Sequence, residues 1–150
     1  MSAEQTINHV LENHNLVHLA TVTADGTPCV RGVDFAAAGG NVFYFMTQRN
    51  SRKVAQIEAN GAVAFAIDHD CPSSQDLQEL KYIKGTGQAS LVKDAEEAQQ
   101  AMGLLMKKFP FLADLPGDPS DFTAIKVQLG EVLVTDNTIS FGHTETVRMI

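Results

Sequence analysis

The chain has 150 residues, 44% of them hydrophobic and 19% charged, with a mean hydropathy of -0.06. This is the composition of one folded domain over residues 1–150, and it excludes a chain that is mainly disordered. No apolar run approaches the roughly 18 to 20 residues that span a bilayer, and the start, MSAEQTINHV, lacks a basic and an apolar leader segment, so a cytoplasmic protein without membrane contact is expected. A net charge of -7 argues against a nucleic-acid partner, since duplex binding needs many phosphates neutralised. Cys29 and Cys71 form no CxxC pair, which removes both a disulfide framework and a thiolate zinc site.

In chain order, Ser2 and Gln5 make a capping box, and Ile7, Val10 and Leu11 then form one apolar stripe, predicting a helix over 3–13. The β-branched run Leu16 to Thr23 breaks at Asp25-Gly26-Thr27-Pro28, a turn that predicts a hairpin whose second arm runs from Cys29 to Ala37. Gly39-Gly40-Asn41 leads into a third strand, Val42 to Thr47. Ser51 is expected to cap a helix from Arg52 to Ala59, closed at Asn60-Gly61, and a strand over 62–67 follows. After a polar stretch from Asp68 to Gln78, a long strand over 79–92 carries Gly85 and Gly87, which predict a bulge or a barrel corner. Asp94 opens a helix that runs to Lys108; Pro110, Pro116 and Pro119 mark a loop; and two strands, Phe122 to Thr135 and Thr138 to His143, finish the chain around a turn at Asp136-Asn137. Six or seven antiparallel strands with peripheral helices predict an α+β protein built on a β-barrel.

Charge is unevenly spread. Between Arg31 and Ile57 the bases Arg31, Arg49, Arg52 and Lys53 face one acid, Asp34, a local charge of +3 in an acidic chain. In Met46-Thr47-Gln48-Arg49-Asn50-Ser51-Arg52-Lys53 a strand ends, a short loop follows and a helix begins. Helix starts expose unpaired N–H groups and the positive end of the dipole, so two cations there oppose the dipole and call for an anion, and hydroxyls beside them suit phosphate. The bland alternative is a capped helix whose first turn is basic and solvated.

These segments resemble the FMN-binding split barrel of the pyridoxamine 5'-phosphate oxidase-like superfamily. The likeness rests on Arg31-Gly32-Val33-Asp34, Met46-Thr47 and Ser51-Arg52-Lys53, with Lys84-Gly85-Thr86-Gly87-Gln88-Ala89 similar to a later family strand. It implies an α+β split β-barrel, FMN as cofactor, and Arg31, Gly32, Val33, Asp34, Met46, Thr47, Ser51, Arg52 and Lys53 as cofactor-binding residues. It further implies a homodimer with FMN at the subunit interface.

The chain has no Trp and lacks the Arg-x-His segment of the oxidases proper near its end, so pyridoxal phosphate synthesis is not expected. The expected function is an FMN-dependent oxidoreductase with a small-molecule or protein electron partner. The alternatives are a flavin-binding or electron-carrier protein without turnover, or the same barrel holding haem or a deazaflavin coenzyme.

No catalytic residue is assigned. His14 and His18 are separated by the helix break at Asn15, which sets zinc aside; Asp68-His69-Asp70 reads as a solvated strand end; and His143 is held open as a group near the flavin. GxSxG, GxGxxG and GxxxxGK[ST] do not occur, so a nucleophile elbow, a Rossmann turn and a P-loop are excluded.

Overall fold

The computed structural model describes residues 1–149. It begins with α1 (Ala3–Asn13), closed at its start by the reciprocal Ser2 and Gln5 bonds of a capping box. The hairpin β1 (Leu16–Val22) and β2 (Pro28–Asp34) follows, with each pair of opposed residues sharing a face. The second arm is shorter than expected. Phe35, fully buried, donates its N–H to the Asn15 carbonyl and ends β2, and the chain resumes as β3 (Ala36–Ala37), which pairs with β4 (Val42–Gln48).

The remaining elements are α2 (Arg52–Ala59), β5 (Ala62–Ile67), α3 (Ser74–Gln78), β6 (Lys81–Leu91), α4 (Ala95–Lys108), β7 (Phe122–Asp136) and β8 (Thr144–Arg148), with 3-10 turns at Pro110–Asp114 and Pro119–Asp121. All strand pairings are antiparallel, in the order β2-β1-β5-β6-β7-β4-β3, with β8 added beside β7. The two ends of that order, β2 and β3, are joined through the single residue Phe35, so the sheet curls back on itself into a split barrel.

Phe43, Phe45, Phe65, Ile83, Ile125 and Leu129 fill the interior with Phe35, whose ring meets Phe43 edge-on at 5.3 Å. Each such side chain contributes about 1.5–3 kcal/mol of burial. A smaller cluster, Tyr44 with Ala101, Leu105 and Phe109, seats α4 on the outside of β4. There the Tyr44 hydroxyl donates to Glu97 at 2.8 Å, and burial followed by that carboxylate pushes its pKa up to about 12.

Two further expectations need correction. The last strand is Thr144–Arg148, not 138–143. Asp136 accepts from the Thr138 N–H and hydroxyl, Asn137 accepts from the Gly142 N–H, and Gly142 has φ +78, so residues 137–143 are tied into a loop before pairing restarts at Thr135 and Thr144. The polar stretch also contains α3, capped by Ser73 accepting from the Asp76 N–H, where the sequence pattern predicts no helix. The glycine expectation matches: the β6–β7 register shifts between Gly85 and Gly87.

Candidate functional site: an anion cradle at the start of α2

Arg31 and Leu19 are cross-strand partners, so the arginine lies on the same face as Leu19 and Thr21 and extends toward α2. Its Nη1 donates to the Thr21 hydroxyl at 2.7 Å and reaches the Leu19 and Cys29 carbonyls at 3.4 Å, while Nη2 donates to Gln56 Oε1 at 3.4 Å. From the other side, Lys53 Nζ donates to the Thr47 hydroxyl at 2.8 Å, and Thr47 donates to Ser51 Oγ at 3.3 Å. Burial first, and then the charge of Arg31, hold the Lys53 ammonium below the ordinary lysine range. Among the described residues, neither cation has a carboxylate within salt-bridge distance.

Ser51 has the extended backbone of a helix cap, but its side chain makes no capping bond. This corrects the expected cap: the hydroxyl is engaged by Thr47 instead. Ser2, Ser73 and Asp94 do cap their helices, each accepting from a backbone N–H three residues on. The first turn of α2 therefore keeps its N–H groups without a side-chain acceptor, beside Lys53 and with no acid in that turn.

The structure thus gathers Arg31, Thr47, Ser51 and Lys53, with Arg52 exposed at the first position of α2. Val33 instead packs against the core, Met46 lies against the α4 cluster, and Asp34 faces the Lys108 region. Gly32, exposed on β2, lies against Leu16. β2 ends the strand order, so the backbone groups on its outer edge are unpaired among the described residues. Sequence reasoning missed Thr21 and Gln56. The available signal was that Gln56 stands three and four residues beyond Lys53 and Arg52, on the same helical face.

His143 lies beyond the far end of β7 from the strand pair Thr47 and Thr123, with its Nε2 3.1 Å from Glu145. His14 also sits away from the cradle, at the other end of β1 from Thr21, its ring stacked on His69 at 5.3 Å. Burial, then His69, His9 and Lys108, lower the His14 pKa against an opposing effect of Asp68. No helix among the described residues is long and apolar enough to cross a membrane.

The outward face of β1, β2 and β5 carries the small and apolar side chains Ala20, Pro28, Val30, Ala62, Ala64 and Ala66, beside Lys84, Thr86 and Gln88 of β6. Ala20, Pro28, Ala62 and Ala64 line one shallow hollow of about 410 Å³, Ala66 and Val30 border a second, and Val30 is 71% exposed.

Known proteins share this architecture. The fold is similar to a haem-binding protein from Mycobacterium smegmatis (TM-score 0.81, 17% identity, covering 99% of this chain and 59% of that one). It is also similar to a putative pyridoxamine 5'-phosphate oxidase from Listeria innocua (TM-score 0.70, 22% identity, 87% and 96% covered), and to the haem storage protein HutZ of Vibrio cholerae (TM-score 0.70, 23% identity, 86% and 91% covered). In sequence, the chain is 25% identical over 139 residues to a UPF0306 protein of Photorhabdus laumondii, covering 92% of this chain and 90% of that protein. The model of the pyridoxamine 5'-phosphate oxidase family matches residues 3–136, nearly the whole curled sheet, and the chain belongs to that family.

Proposed function

We propose that this chain is an FMN-binding flavoprotein that works as an oxidoreductase. Its cradle of Thr47, Ser51, Arg52 and Lys53, with Arg31 opposite, receives the flavin phosphate, and the ring lies along Arg31, Gly32, Val33 and Asp34. One observation carries the reading: a helix start without a side-chain cap stands beside two half-buried cations that have no carboxylate partner among the described residues. Unpaired charge in a partly desolvated place is costly, and a dianionic phosphate relieves that cost at three kinds of donor: ammonium, guanidinium and backbone N–H.

The free edge of β2 supports the placement of the ring, because a planar imide can use unpaired strand N–H and C=O groups as a neighbouring strand would. Bound there, a flavin supplies hydride or single-electron transfer to a small-molecule or protein partner. The protein's part is to hold the phosphate, fix the ring against β2 and keep positive charge close to it. The small-residue face around Ala20, Ala62 and Ala64 adjoins Thr21 and suits a second copy of this chain, which would make the cofactor site an interface site in a homodimer.

The test is reconstitution of the purified chain with FMN, followed by visible absorption and fluorescence quenching, in the wild type and in Lys53→Met. A charge-assisted bond contributes about 1.5–3 kcal/mol, so the variant should bind FMN roughly ten- to a hundredfold more weakly. Unchanged affinity, or a Soret band in place of a flavin spectrum, would refute the reading.

A further inference from the structure

Among the described residues, every acceptor that holds Arg31 is neutral: the Thr21 hydroxyl, the Gln56 amide oxygen, and the Leu19 and Cys29 carbonyls. Thr21 is the hub. Fully buried, it accepts from Arg31 Nη1 at 2.7 Å and donates to Gln56 Oε1 at 2.5 Å, while Gln56 Nε2 reaches Cys29 Sγ at 3.9 Å. β1, β2 and α2 are thus joined through one relay of uncharged groups.

Two bases elsewhere do pair with acids, Lys126 with Glu97 at 3.2 Å and Arg148 with Glu131 at 3.5 Å, whereas Arg49 and Lys108, like Arg31, donate to neutral carbonyls. A glutamate at position 56 would have the length of the glutamine and would bind a guanidinium more strongly, through a charge-assisted contact. It would also cancel the charge. A glutamine orients the same group and leaves its charge intact.

We propose that Thr21 and Gln56 are positioning residues of the anion site, a neutral relay that fixes the Arg31 guanidinium while reserving its positive charge for the ligand's anionic end. This inference deepens the phosphate-binding reading above and rests on it. The Lys53 ammonium, held below the ordinary lysine range first by burial and second by the charge of Arg31, agrees with it, since the second cause shows that the two cations feel each other.

The experiment titrates the full chain with FMN and with riboflavin, which lacks the phosphate, in the wild type, Gln56→Glu and Thr21→Val. In Gln56→Glu, FMN affinity should fall roughly ten- to a hundredfold. Riboflavin affinity should stay the same, and the ligand-free thermal midpoint should be equal to or above that of the wild type, since the introduced carboxylate would pair with Arg31. A merely structural glutamine predicts the opposite pattern: lower stability and no discrimination between the two ligands. Thr21→Val, which keeps the shape and removes the hydroxyl, should lower FMN affinity selectively by a smaller factor. Wild-type FMN affinity in both variants, or equal losses for FMN and riboflavin, would overturn the relay while leaving the phosphate site standing. A wild-type chain that binds FMN no more tightly than riboflavin would overturn the phosphate reading and the relay together.

Discussion

At the scale of single residues, the proposed phosphate cradle requires Lys53 to be charged. Burial and Arg31 hold its pKa below the ordinary lysine range, and a bound dianion favours the charged form, so the pKa rises on binding. The sign follows: affinity for a phosphate ligand is lost as pH rises through the pKa of the free protein, and the loss begins below the usual lysine value. On the acid side, affinity weakens again as the phosphate dianion takes up a proton near pH 6. Titrations across this range should give a bell, and Lys53→Met should remove its alkaline limb; an alkaline limb that persists in the variant would assign the titration to another group. The grouping of Thr47, Ser51 and Lys53 was legible in the sequence because a strand end, a hydroxyl and two bases at a helix start stand within seven positions. Thr21 was not, because what gives it a role is its contact with Arg31 and Gln56, two residues distant in the chain.

At the scale of elements, glycines decide where strands can approach. An added Cβ at Gly85 would lie 2.0 Å from the Glu131 carbonyl oxygen on β7, and that neighbour is backbone in a paired strand that cannot turn aside. Gly85→Ala should therefore cost about 3 kcal/mol of stability, read from the midpoint of urea unfolding, with loss of the register shift between Gly85 and Gly87. A variant as stable as the wild type would mean that the strands separate there at no cost. The strand was legible from its β-branched and aromatic residues, and the bulge from its two glycines. The last strand was misplaced by six residues because the stretch Thr138 to His143 has strand-like composition, whereas Asp136 and Asn137 use their side chains to bind its backbone into a loop. Such competition between side chain and ladder does not show in periodicity. The break at Phe35 was hidden for a similar reason: Phe35 fits a strand pattern, and only the bond from its N–H to the Asn15 carbonyl, together with burial in the barrel, turns the chain from β1 toward β4.

At the scale of the whole molecule, the open face with Val30 and the small residues of β1 and β5 is the surface that a second copy should cover. A stable interface buries about 800 Å² per partner. Sedimentation equilibrium should return a dimer; Val30→Asp, which puts charge on that face, should shift it to monomer and weaken FMN retention with it. A wild-type chain that stays monomeric at tens of micromolar with FMN bound would remove the second copy from the site. The general fold was readable from strand order and turns, and the family from three short motifs, but the sequence could not show that the two cations in the cradle lack an acid among the described residues, since that depends on where the carboxylates of the folded chain end up. The most direct measurement of the central claim is calorimetric titration of the wild-type chain with FMN and with riboflavin under the same conditions. The proposed function predicts one FMN per chain, bound at least tenfold more tightly than riboflavin, because the two ligands differ by the phosphate assigned in that proposal to the α2 cradle. Equal affinities, or no binding of FMN in excess, would contradict it.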